Sequence, residues 1–428
     1  MRVVRLLAVA CLLLFPEAAR AQGPLPIPSR LSVYLDCRTG GCDGSLIRTE
    51  VTWVDWVRDQ GVADVHLLIT SQDAGAGGSE YTLTFMGARL FAGRADTLRF
   101  TTNPTTTDDE RRRGVLQVIT VGLVPYAART GTGRSLRISA DTTDGVAKRE
   151  PTNPADDPWN AWVFEIGVDG FMNGERYYKG RDFGLNLEAN RVTEQWKTSF
   201  DFRYSYRDNS ATVLETDSTG AVTGEETYTS LQRDWSTSFG QVKSLGQHWA
   251  AGTEVEVASQ TFRNQDLRYQ LRAAVEYNLF PYSEFTRRSF KISYGLGYTG
   301  YQYADTTVFD KISETLPSHF IEASYRTRQS WGNVNLNFEH RNFLTDASKR
   351  STDVNGNFSV RLFKGFSVNA GAGYSWIHDQ VYLPRGEQDA VDVLLRRRAL
   401  LTGFEYFTHF GVSYTFGSIF NNVVNPRF

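Results

Sequence analysis

The sequence predicts a mainly β protein: a roughly 12-stranded antiparallel transmembrane β-barrel preceded by a small α/β domain. Three observations predict it. From Trp159 to the end, apolar and polar residues alternate with the period of a strand. After residue 20, no apolar run approaches the ~20 residues that a membrane helix needs. The connections between the alternating runs are themselves alternately short and long.

The clearest run is Leu267 to Leu279. Leu267, Tyr269, Leu271, Ala273, Val275, Tyr277 and Leu279 share one parity; Arg268, Gln270, Arg272, Ala274, Glu276 and Asn278 share the other. Such a run exceeds the usual soluble strand of about 5–6 residues and suffices for a tilted strand crossing a bilayer, which needs roughly 9–11. Composition agrees, with 27 Phe, 20 Tyr, 9 Trp and 37 Gly against 3 Met and 3 Cys. A formal net charge of −2 gives no global basic footprint for nucleic acid.

Residues 1–21 read as a secretory signal. Arg2 and Arg5 precede the apolar Leu6–Phe15, and Ala19-Arg20-Ala21 supplies the cleavage site. Cys11 after Ala8-Val9-Ala10 makes a lipoprotein the alternative. Cys37 and Cys42 flank Arg-Thr-Gly-Gly, which reads as a small disulfide loop in an exported chain, with a metal pair or a redox dithiol as alternatives.

Residues 22–140 read as a periplasmic α/β domain of βαβββα character. Strands are expected at Leu31–Asp36, Ala63–Thr70 and Glu80–Met86, with a further hairpin from Leu90–Arg94 and Asp96–Thr101. A helix is expected over Asp43–Gln60. A second opens at the capping box Thr107–Glu110, with Val115, Leu116, Ile119 and Leu123 on its apolar stripe. Gly75–Gly78 leads into a strand rather than a helix, so it reads as a hairpin loop, not a phosphate cradle. His66 reads as structural. The arrangement weakly resembles the N-terminal domain of the propeller protein of the Tol system, a topological likeness that carries no residues. Residues 141–158 read as a linker; Asp141–Gly145 lacks the spacing and the distal Glu of a calcium loop.

Residues 159–428 carry the expected barrel. Its strands are Trp159–Phe171, Tyr178–Val192, Gln195–Arg207, Tyr228–Val242, Trp249–Phe262, Leu267–Phe280, Ser289–Gln302, Ser318–Arg328, Asn333–Phe343, Asp353–Phe363, Phe366–His378 and Leu400–Phe416. Short turns such as Lys364-Gly365 fit the periplasmic end, and long segments such as Asp208–Thr227 fit the outside. An even strand number returns the chain to the side of the N-terminal domain.

The parity opposite the lipid-facing one supplies the lumen-lining candidates. Its acids are Glu165, Asp169, Asp201, Glu254, Glu256, Glu276 and Glu339; its bases are Arg203, Arg268, Arg272, Arg326, Arg341 and Arg361. They read either as a self-neutralising ionic network or as the wall of a solute path. His340 beside Glu339, and His378 beside Asp379, are the local acid–His pairs. Neighbours on a strand face opposite ways, so neither pair cooperates, and no catalytic motif is present. No cofactor and no metal is expected.

Phe416 and the final Phe428 are the candidate assembly signal. The closing Gly411-Val412-Ser413-Tyr414-Thr415-Phe416 and the strand architecture over roughly residues 159–428 resemble the uncharacterised salt-stress-induced outer-membrane barrel family. That resemblance implies a bacterial outer-membrane protein and carries no catalytic residues. The expected function is a narrow porin-like or transport-associated channel. The alternative is a structural anchor presenting the periplasmic domain to a protein partner, and a barrel-borne hydrolase is less favoured. Expected partners are outer-membrane lipid, the outer-membrane assembly machinery and a periplasmic protein, with no nucleic acid.

Overall fold

The computed structural model describes residues 28–74, 78–103, 105–137, 157–363, 365–386, 399–418, 420 and 422. The signal segment, residues 141–156 of the expected linker, most of the Gly75–Gly78 loop and Phe428 lie outside the described residues.

The N-terminal unit contains β1 (Ser32–Cys37), α1 (Gly44–Glu50), β2 (Asp55–Val57), β3 (Val65–Asp73), β4 (Ser79–Gly87), β5 (Ala95–Thr101) and α2 (Asp108–Ala127). Its sheet order is β2-β1-β3-β4-β5. β1 pairs in parallel with β2 and β3, and β4 pairs antiparallel with β3 and β5. The core is Val33, Val65, Leu67, Ile69, Leu83 and Phe85 from the sheet, with Ile47 from α1 and Val115, Ile119 and Leu123 from α2. The capping box is present: Thr107 N–H donates to Glu110 Oε2 at 2.8 Å, and Glu110 N–H donates to Thr107 Oγ1 at 3.3 Å. Two glycines let α2 approach the sheet. A Cβ at Gly114 or Gly122 would sit 2.1 Å from the ring of Phe100 or Phe85.

Two expectations are corrected here. The first helix stops at Glu50 instead of Gln60. Trp53 and the β-branched Val51, Thr52 and Val54 are weak helix formers, and Asp55–Val57 gains more as an edge strand on β1. Trp56 is then buried, its Nε1–H donating to Val51 O at 3.0 Å. The second correction is the hairpin: Arg89–Phe91 forms a single turn, with Arg89 at φ +50°, so only β5 follows. Cys37 and Cys42 are bonded, with Cα atoms 6.1 Å apart. His66 is buried, with Nε2 3.2 Å from Asp36 Oδ2.

The second unit is a 12-stranded antiparallel sheet in which every neighbour in space is a neighbour in sequence. Its strands are β6 (Trp162–Gly174), β7 (Tyr178–Val192), β8 (Trp196–Thr216), β9 (Val222–Ser244), β10 (Trp249–Gln260) and β11 (Gln265–Asn278). They continue with β12 (Arg288–Tyr303), β13 (Ser313–Gln329), β14 (Gly332–Phe343), β15 (Arg350–Phe363), β16 (Phe366–Ile377) and β17 (Phe404–Tyr414). The strand number and their sites follow the alternation. One long loop does not: most of Asp208–Thr227 is strand, so β8 and β9 form a projecting hairpin that turns at Asp217–Ala221. Its alternating Thr and Val residues, closed by Gly220 at φ +84°, make a ladder cheaper than a loop. β6 and β17 are the two edges of the sheet and do not pair with each other among the described residues.

Candidate functional site

The register sorts the two faces without exception at the positions predicted to line a lumen. Pairing runs Glu165↔Glu188↔Asp201 and Glu254↔Arg272, then Glu322↔Glu339↔Asp353. Directly paired residues share a face. The opposite face carries Phe164, Ile166, Val168, Tyr294, Leu296, Phe410 and Val412, all more than half exposed. A sheet with large apolar side chains bare on one face and charges on the other has two different solvents.

Most of the predicted charges meet a partner. Arg268 bonds Glu256, and Arg272 bonds Glu322 with Glu254 at 3.9 Å. Arg272 also lies 4.1 Å over the ring of Phe320. The β12 glycines make that reach from β11 to β13 feasible: a Cβ at Gly295 would meet Phe320 at 2.3 Å. Lys291 pairs with Glu276 at 3.2 Å, and the hydroxyl of Tyr282 donates to the same carboxylate at 2.8 Å. Arg203 stands 3.7 Å from Glu188 and 3.8 Å from Asp201. Arg326 lies over Phe285 at 5.3 Å. Glu165 and Asp169 make no ion pair among the described residues; Asp169 lies across Gly184 instead. Glu339 sits in a row of acids at one level of the sheet, between Glu322 and Asp353, around a cavity of about 250 Å³.

Beside this ionic region β14 and β15 present amides. Asn335 Nδ2 donates to Asn357 Oδ1, and Asn337 Nδ2 to Asn355 Oδ1, both at 3.0 Å. The same face therefore offers a charged wall and a neutral polar wall.

The segment after β16, residues 378–386, folds back over the polar face at the long-loop end. Val381 is buried against Tyr301, Tyr303, Leu316 and Phe343, with Tyr382 packed alongside, and Leu383 is buried nearby in the chain. Asp379 holds Arg341. Asn264, in the left-handed region at φ +56°, ties the loops together. Its Nδ2 donates to Asp305 O at 2.8 Å and Tyr382 O at 3.2 Å, and its Oδ1 accepts from Asp305 N–H at 2.7 Å. Sequence reasoning missed this narrowing. Its signal was present in Tyr301, Tyr303 and Phe343, aromatic residues on the polar parity at strand ends.

At the other end, residues of the polar face meet the N-terminal unit. Arg361 bonds the hydroxyl of Tyr34 and, at 2.9 Å, Gln60 Oε1. Arg328 Nη1 donates to Ser71 O at 3.0 Å, and Arg38 Nη1 to Asn333 Oδ1 at 3.4 Å. Burial, then the Asp36 carboxylate, push the Tyr34 hydroxyl above its ordinary range, while Arg361 opposes them. Phe416 is four-fifths exposed just beyond β17. His319 and His340 lie together on the apolar parity, their ring centroids 6.5 Å apart, with His340 Nδ1 on Thr352 Oγ1 at 2.7 Å.

No family model matches the chain, and no curated protein does. Among solved structures it is similar to a NanC porin, at 10% identity over 59% of this chain and 100% of that one, with a TM-score of 0.27. It is also similar to the CymD monoaromatic hydrocarbon channel, at 7% identity over 82% of this chain and 86% of that one, with a TM-score of 0.23. Likeness at that level is too slight to carry a functional argument, which rests instead on the two faces of the sheet.

Proposed function

We propose that the chain is a bacterial outer-membrane β-barrel acting as a narrow, porin-like channel, with residues 22–140 forming a periplasmic domain. The observation that carries it is the partition of one 12-stranded sheet into a bare apolar face and a charged, ion-paired face. Lipid satisfies the first and enclosed water the second. Free sheet edges are not tolerated in hydrocarbon, where each unpaired backbone group costs several kcal/mol, so β6 closes against β17 in the membrane. Phe416, exposed just beyond β17, and Phe428 are the aromatics that the assembly machinery would read.

Discrete conductance steps from purified protein in a planar bilayer are the expected result. Heat-modifiable migration on a gel checks the barrel separately. A second reading has its own support. The apolar cluster around Val381 narrows one end, and the N-terminal unit stands at the other. Both fit an anchor that presents this domain to a periplasmic protein. Electrical silence from heat-modifiable, folded protein would select the anchor.

A further inference from the structure

We propose that the N-terminal α/β unit is a movable lid seated on the short-turn mouth of the lumen, held by a polar latch; the proposal rests on the channel reading above. The latch residues all occupy one face of the sheet. Arg328, Asn333 and Arg361 all belong to the polar parity of their strands, by the pairings Arg328↔Asn333 and Arg361↔Ser367 in line with the ladders that place Glu339 and Asp353 there. A domain docked on the outer, lipid-facing side would meet the other parity. Contacts to Ser71, Arg38, Tyr34 and Gln60 through polar-face residues therefore set the unit across the opening.

The seat has the character of a releasable contact. Its bonds are guanidinium and amide hydrogen bonds, which water replaces at small net cost. The seam keeps a cavity of about 430 Å³, with Tyr34, Gln60 and Arg361 among its lining and Phe366 and Thr415 on the sheet side. Interfaces between units of one chain permit relative motion unless they are large and apolar. A second attachment lets the lid move without being lost. Asn422, beyond the last strand, accepts a bond from Trp56 N–H at 2.6 Å and donates to Asp55 Oδ1 at 3.2 Å. Phe420 bridges Val57 in antiparallel register. The tail thus adds to the free edge of β2 and acts as a tether.

The test joins Gln60→Cys to Arg361→Cys in the full chain with a bifunctional thiol reagent that contains a cleavable disulfide. Single-channel conductance is then recorded before and after reduction, with wild type treated identically. We expect the joined form to conduct weakly and reduction to raise conductance several-fold, while wild type does not change. A cross-link that forms but leaves conductance the same before and after cleavage overturns the lid and leaves the channel standing. Failure of the two thiols to join in folded protein overturns the seat itself. Silence in every state, with heat-modifiable migration intact, defeats the channel reading and the lid with it.

Discussion

The guanidinium of Arg361 stands over the ring of Tyr34, 4.7 Å from its centroid, and joins the last third of the chain to its first strand. Arg361 leaves the polar face of β15, and Tyr34 sits beside the buried His66, the two rings 5.0 Å apart. Removal of the guanidinium loses a cation–π contact and two hydrogen bonds, together about 1–3 kcal/mol. Arg361→Ala should therefore raise the rate at which Gln60→Cys is labelled by a soluble maleimide. Arg361→Lys should restore little, since one ammonium cannot replace a planar fork. Equal labelling in all three backgrounds would mean that the contact holds nothing.

The two faces of β6 make opposite predictions for one substitution. Ile166→Arg puts a charge on the bare apolar face and should cost about 2–4 kcal/mol in a bilayer, while Asp169→Arg, on the other face, should cost far less. Urea unfolding in lipid vesicles measures both. Equal costs would remove the assignment of lipid to that face.

Arg272 and Glu322 should behave as a coupled pair. A double-mutant cycle with Arg272→Met and Glu322→Gln should give a coupling of about 0.5–3 kcal/mol, because each single change strands its partner on a crowded wall. Additive effects would show instead that water screens the pair fully.

Asn264 should control the narrowed end. Asn264→Ala loses three hydrogen bonds and keeps a left-handed φ that alanine disfavours. The loop bearing Val381 and Leu383 should loosen, with larger or noisier current steps and little change in overall unfolding. Asn264→Gly, which relieves only the backbone, should be noisy as well. Quiet recordings from both would assign the loop another support.

The α/β unit should fail first in alkali. Burial, then the neighbouring Asp96 carboxylate, push the Tyr126 hydroxyl up to about 12 from its ordinary 10. The neutral phenol donates to Phe85 O at 3.1 Å. A raised folded-state value gives stability that is complete below pH 10 and lost as pH climbs toward 12. Trp56 fluorescence should report this loss, and Tyr126→Phe should flatten it. An unchanged slope in the variant would assign the alkaline loss to other groups.

The strands were legible because period-2 alternation needs only local information, and all twelve sites follow from it. The thirteen lumen candidates lie on one face for the same reason. Pairing was not legible. That Arg272 reaches Glu322 depends on β12 having glycine at 295 and 297, and that Arg341 meets Asp379 depends on a loop's path. Helix length failed at Val51–Val54, where an apolar pattern suited two outcomes and the free edge of β1 decided. The β8–β9 arm was misjudged because charged and Thr-rich segments read as loops until a partner strand is seen.

Because Asn422 is bonded to Asp55 and Trp56, the segment past the last strand and the edge of the first sheet do not report separately. A probe placed at residue 420 or 422 would read the state of β2 as much as that of the barrel, and a change in β2 would be felt past the last strand.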